Sequence, residues 1–106
     1  MDERVNAYIE SLVSDIISQP NLTNLSPEEK TKYADEIRDR FYNVILDTVI
    51  DNLNSEQLAA IKDLPIDSDE MEKKLTEYSA SIPYMYVKFE ENLKKEVENI
   101  KNNPIL

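Results

Sequence analysis

The sequence predicts an all-α fold, a compact bundle of about five helices, and three observations carry that reading. Apolar residues recur every three or four positions along most of the chain, the spacing that gathers them on one face of a helix. Four breaks, three of them containing proline, cut this pattern into five stretches, one of them opened by Ser26-Pro27-Glu28-Glu29, a helix-start signature. Glycine is absent altogether, which removes the residue that tight hairpin turns favour. At 106 residues the chain is expected to form one domain, 1–106, long enough to bury a core without cross-links.

The first helix is predicted over 2–18. Val5, Tyr8, Ile9, Leu12, Val13, Ile16 and Ile17 form its apolar stripe, with Ser11, Ser14, Asp15 and Ser18 opposite. Pro20 and the Asn/Thr-containing stretch to Leu25 end it. The second helix is predicted over 27–53. Ser26 is its N-cap, Pro27 takes the first helical position and Glu29 completes a capping box. Tyr33, Ala34, Ile37 and Phe41 face inward in its first half. The second half, Phe41 to Leu53, is rich enough in Val and Ile to suggest a strand. Helix is the better reading, because the stretch continues a capped pattern and sets Asn43, Asp47 and Asp51 on one polar stripe at i, i+4, i+8. A helix apolar on most sides is a central one, here packed by helices one, four and five.

The third helix is short, predicted over 56–64, capped by Asn54 or Ser55 and stopped by Pro65, with Leu58, Ile61 and Leu64 inward. The fourth runs over about 68–81, starting near Asp67 or Ser68, with Asp67 and Glu70 as a capping box and Met71, Leu75 and Tyr78 as its stripe. Pro83 enforces a break at Ile82. The fifth runs over 83–102 on a seam of Met85, Tyr86, Phe89, Leu93, Val97 and Ile100, with Glu91–Lys95 as an outer i, i+4 pair. Residues 103–106 read as a frayed tail.

Charge and residue inventory then narrow the function. The formal net charge is −10, and residues 71–106 balance six lysines against six glutamates, so all of it lies in residues 1–70. Such a surface repels polyanions, so direct nucleic-acid binding and an anionic membrane are not expected as partners. The opening Met1-Asp2-Glu3-Arg4 lacks the basic region and apolar core of a signal peptide, and no apolar run approaches the length of a membrane span, so the expected location is cytoplasmic. Histidine, cysteine and tryptophan are missing. Thiol and imidazole nucleophile–base pairs cannot be built, and Glu-x-x-His di-iron sites are excluded. The serines sit at caps and on helix exteriors, where capping explains them.

Carboxylates are the remaining chemical inventory. Asp63, Asp67, Asp69, Glu70 and Glu72 are dense enough to hold a hard cation, but they lack the glycine and spaced ligands of an EF-hand. The preferred reading is a solvated turn that caps helix four. Glu36-Ile37-Arg38-Asp39 has the Glu-x-x-Asp spacing with which helical nucleotide pyrophosphohydrolases hold magnesium, yet no second Glu-x-x-Glu precedes it. No catalytic residue, metal ligand or cofactor is therefore assigned. The candidate residues belong instead to an interaction surface. Tyr84 and Val87 fall off the helix-five seam, within Tyr84-Met-Tyr-Val-Lys-Phe89, and read either as packed under helix four or as an exposed apolar spot for another chain. Tyr8, Leu12 and Ile16 on helix one offer a second surface, able to dock within the chain or on a partner.

From Ser26 to about Ile100 the chain resembles a family of short acidic helical proteins from candidate-phylum bacteria, grouped as a domain of unknown function. The matching features are Leu25-Ser-Pro-Glu-Glu29 opening a long helix, the Leu53-Asn-Ser-Glu-Gln-Leu58 turn, and Ser81-Ile-Pro83 before a charged last helix. The lack of glycine and the aromatic run after Pro83 depart from that pattern. The resemblance implies a helical fold and transfers no functional residues.

The function expected is a non-catalytic protein–protein interaction module, its partner another protein or a second copy in a homodimer. One alternative is an acidic nucleic-acid mimic, an inhibitor or antitoxin-like protein in a basic groove, with Asp35, Asp39, Asp47, Asp51, Asp63 and Asp67 standing in for phosphates. The other is a metal-dependent hydrolase.

Overall fold

The computed structural model describes residues 3–19, 22 and 24–102. They form five helices and no strand: α1 Glu3–Ile17, α2 Pro27–Asp51, α3 Ser55–Ile61, α4 Asp69–Ser81 and α5 Met85–Asn102. The expected helix position Asp2 and the expected tail, 103–106, lie outside the described residues. No helix among those described is long and apolar enough to cross a membrane.

Local chemistry sets the helix starts. At α2 the Ser26 hydroxyl accepts from the Glu29 N–H at 3.1 Å while the Glu29 carboxylate accepts from the Ser26 N–H at 3.2 Å, closing the expected capping box. Asn54 and Gln57 make the same reciprocal pair at α3, at 2.9 and 3.0 Å. The α4 box expected from Asp67 and Glu70 does not form. Ser68 is the N-cap instead, accepting from the Met71 N–H and donating to the Pro65 carbonyl at 2.8 Å. A serine one residue later can serve both groups, which a carboxylate acting only as acceptor cannot.

The core lies where α1, α2 and α5 meet. Val5, Ile9, Val13 and Ile16 from α1, Ile37, Phe41, Ile45 and Val49 from α2, and Met85, Phe89, Leu93 and Ile100 from α5 are all buried in it. The members of each set lie three or four residues apart, with the half-buried Val97 between Leu93 and Ile100, so each helix turns one stripe inward. α2 is the central member and touches α1, α4 and α5, as expected. Its Asn43, Asp47 and Asp51 are all exposed, which agrees with the helix reading over the strand.

Polar groups fix the pairing of α2 with its neighbours. Arg38 donates to both carboxylate oxygens of Glu10 on α1, at 2.7 and 3.0 Å, and to Asp35 at 2.8 Å. Arg40 pairs with Glu96 on α5. Thr48, a buried polar residue within this core, donates to the Val44 carbonyl at 2.6 Å and accepts from Asn92 of α5 at 2.9 Å. One turn on, Asn52 donates to the Thr48 carbonyl and accepts from Lys88 at 2.7 Å.

Further expectations need correction. α3 ends at Ile61, before Leu64, and its Leu58 is 39 % exposed, because a seven-residue helix resting on α4 buries one position, Ile61. α5 begins at Met85 and not at Pro83, because Tyr84 takes a left-handed conformation (φ 59°) that no α-helix contains. Tyr86 leaves the expected seam and is 41 % exposed. Met85, Phe89 and Leu93 already fill that seam at i, i+4, i+8, and Tyr86 stands about 100° around the helix from Met85. On the outer face of α5, Glu90 pairs with Lys94 at 3.1 Å, one position before the expected Glu91–Lys95 pair.

Candidate functional site

The α3–α4 arm packs chiefly on α2, whereas α1 and α5 pack on α2 and on each other. A wedge remains between α4 and the rest. It is a cleft of about 950 Å³, walled by Leu75, Thr76, Ser79 and Ala80 of α4 and by Tyr42, Ile45, Leu46 and Val49 of α2. The first turn of α1, the Ile66–Ser68 turn and the start of α5 close its ends.

The lip of this cleft is aromatic. Pro83 restrains the residue before it, and Ile82 is extended at φ −89°, ψ 121°. The chain must then reverse to enter α5, and Tyr84 makes that reversal in the left-handed region, a conformation uncommon for any residue with a Cβ. The turn leaves Tyr84 81 % exposed at the cleft, which Ile66, 73 % exposed, also lines. Tyr42 and Tyr86 complete the set. Among the described residues, four of the six exposed large hydrophobic ones, Tyr42, Ile66, Tyr84 and Tyr86, therefore line one cleft, and that concentration separates it from scattered surface apolarity.

Several polar groups around the cleft are engaged. The Arg4 guanidinium lies 5.8 Å over the Tyr86 ring, whose other neighbour is the Tyr8 ring at 6.5 Å, tilted by 54°. Tyr42 donates through its hydroxyl to Asn6 Oδ1 at 3.2 Å. Burial, with the negative charge of Glu90 beside it, holds the Tyr8 phenol above the usual tyrosine range. The Ser68 hydroxyl donates to the Pro65 carbonyl at 2.8 Å and the Ser79 hydroxyl to the Thr76 carbonyl within α4 at 2.9 Å. Among the described lining residues the acids are Asp67 and Glu72, and Arg4 is the one cation. The arrangement can grip an apolar surface; it holds no histidine, cysteine or lysine to activate a nucleophile.

The residues singled out from the sequence separate into two groups. Tyr84 is at the cleft, and Val87, 48 % exposed, lies one position beyond Tyr86 on the first turn of α5; neither packs under α4. The helix-one set is not a free surface. Ile16 is 1 % exposed inside the core, and Tyr8 and Leu12 are half-buried against it, because α1 docks within its own chain onto α2 and α5. Asp63, Asp67, Asp69, Glu70 and Glu72 are exposed, and among the described residues no three acids converge on a point that could hold a metal ion. Tyr42, Ile66 and the cleft-facing role of Tyr86 were not legible from periodicity. Ile66 had a signal: it is a lone apolar residue in Pro65-Ile66-Asp67-Ser68-Asp69, with no helical stripe to join.

Comparison with protein-family models, with curated proteins and with solved structures gives no match. The resemblance drawn from the capping and turn motifs rests on those motifs alone, and the cleft is read from its own chemistry.

Proposed function

We propose that this protein is a non-catalytic protein-interaction module whose working surface is the cleft between α4 and the α1–α2–α5 core. The observation that carries the reading is the gathering of Tyr42, Ile66, Tyr84 and Tyr86, large side chains left in water around one apolar groove. Tyrosine supplies interface contact area at low entropic cost, and buried aromatic anchors dominate binding energy. The backbone at Tyr84 adds support: a strained residue that leaves most of its ring in water recovers little of that strain through packing, which is the pattern of a functional position.

Site-specific photocrosslinking tests this directly. A photoreactive phenylalanine analogue replaces Tyr84, Val87 or, as a control, Ser14 on the exposed face of α1, in cells that make the protein. Protein adducts from positions 84 and 87 and none from 14 are the expected outcome. Equal adducts at all three, or none at any, would remove the cleft as a working surface.

A second reading has an observation of its own. Asp39, Asp47 and Asp51 are exposed along α2, with Asp35 one turn earlier tied to Arg38, and such a row suits a nucleic-acid mimic seated in a basic groove. That mode predicts binding that falls steeply with added salt and ignores substitutions at Tyr84.

A further inference from the structure

We infer that the occupant of the cleft is a basic amphipathic helix from another protein, about three turns long, laying its apolar face between α4 and α2. The inference rests on the reading of the cleft as an interaction surface and goes on to name what fills it.

The walls decide the shape. On α4 the lining runs from Glu72 to Ala80, about 12 Å at the ~1.5 Å rise of a helix, and on α2 from Tyr42 to Val49, about 10 Å. Apolar anchors at i, i+4 and i+7 of a bound helix span about 10 Å, so three of them match either wall, and a helix of about three turns carries them with a few residues to spare. Both walls are helices, and the described residues contain no strand whose edge could pair with an extended peptide. Of the apolar wall residues, Leu46 and Leu75 are half-buried and offer side-chain carbon to the cleft, while Ile45 and Val49 are already buried. A segment entering the cleft must satisfy its own N–H and C=O groups, and a helix does so internally.

The charge decides the sign. All of the net −10 lies in residues 1–70, which build the α2 wall and the Ile66–Ser68 end. Asp67 lies at that end, and Asp47 and Asp51 are exposed on the polar stripe that starts at Asn43, itself a lining residue. The cationic lining residue, Arg4, sits over the Tyr86 ring. An incoming helix with lysine or arginine on its solvent face meets carboxylates along α2 and at the α3–α4 turn; an acidic one meets repulsion there.

The test uses the full chain and three designed fourteen-residue peptides, titrated by fluorescence anisotropy. The first is an amphipathic Leu/Lys helix, the second carries Glu at every Lys position, and the third keeps Lys but has Ala for Leu. The protein variants are Ile66→Asn with Tyr84→Asn and, separately, Asp47→Asn with Asp67→Asn. All four side chains are exposed, and asparagine accepts the left-handed backbone at 84, so the variants fold. The Leu/Lys peptide is expected to bind at least tenfold tighter than either of the others. Ile66→Asn/Tyr84→Asn should weaken it at least tenfold, and Asp47→Asn/Asp67→Asn about two- to tenfold with a shallower salt dependence.

Leu/Lys binding that ignores Ile66→Asn/Tyr84→Asn overturns the inference, since attraction to the acidic surface alone would then explain it. Equal binding of the Leu/Glu peptide overturns the basic occupant and leaves the cleft as an interaction surface intact. No binding of any peptide overturns the helical occupant, while the photocrosslinks at 84 and 87 still decide the cleft itself. A wild-type dimer in sedimentation, dissolved by Ile66→Asn/Tyr84→Asn, would put a second copy in the cleft and equally overturn the inference.

Discussion

Replacing Tyr84 by glycine and by alanine separates what its backbone costs from what its ring contributes. A left-handed residue with a Cβ costs about 1–2 kcal/mol, and only glycine escapes that penalty. Glycine also gives the unfolded chain more freedom, which returns about 0.5–1 kcal/mol against folding. With the ring 81 % exposed, about a fifth of a ~200 Å² side chain is covered, roughly 40 Å² or about 1 kcal/mol at ~25 cal/mol per Å². Tyr84→Ala therefore loses about 1 kcal/mol, since the strain stays and the contact goes. Tyr84→Gly loses the same contact but sheds the strain, for a net change near zero. Glycine should be the more stable of the two by about 0.5–1 kcal/mol, the reverse of their order inside a helix. Urea unfolding followed by circular dichroism measures the difference, with equal m-values as the check that the unfolded states match. Alanine equal to or more stable than glycine would refute the reasoning, because Tyr84 would then not be strained.

Further outcomes follow from the rest of the structure. Thr48→Val removes both bonds of a buried hydroxyl at nearly constant shape, and Asn92→Ala removes the donor across the α2–α5 contact. A double-mutant cycle on the two should give a coupling of about 0.5–1.5 kcal/mol, and a coupling near zero would mean the hydrogen bond does not form. The bond from Arg38 holds the Glu10 carboxyl below the usual carboxylate range, so its contribution is present above the unfolded pKa and lost as pH falls through the lower folded value. Stability of the wild type relative to Glu10→Gln should therefore decline on acidification below about pH 4.5, by less than about 1 kcal/mol because the pair is half in water; a difference constant with pH would count against the pairing. Magnesium titrated into labelled protein should produce no shift localised to Asp63, Asp67, Asp69, Glu70 and Glu72, since these acids do not converge. Saturable shifts confined to them would place a cation site there.

Much of the architecture follows from interactions a few residues long, and those are readable in sequence. A capping box closes over three residues, so Ser26 with Glu29 announces its helix; the Asn54–Gln57 box is equally local, although the sequence reading leaves the cap open between Asn54 and Ser55. Apolar spacing is equally local, and it identifies Val5, Ile9, Val13 and Ile16, or Met85, Phe89 and Leu93, as inward faces wherever their partners lie. Local competition is harder to read: Ser68 displaced Asp67 as the cap because a hydroxyl can donate as well as accept. The cleft could not be read at all. Whether Tyr42, Tyr84 or Tyr86 is covered depends on which helix comes to rest beside it, and that is settled by the packing of elements far apart in the chain. Helix α4 leans on α2 and α3, and the side it leaves open lies over residues whose own spacing marks them as neither core nor surface. The sequence alone thus determined five helices and the stripes they bury, because those rest on contacts within a turn or two; tertiary structure decided where the stripes fail to meet, because a gap belongs to no single segment.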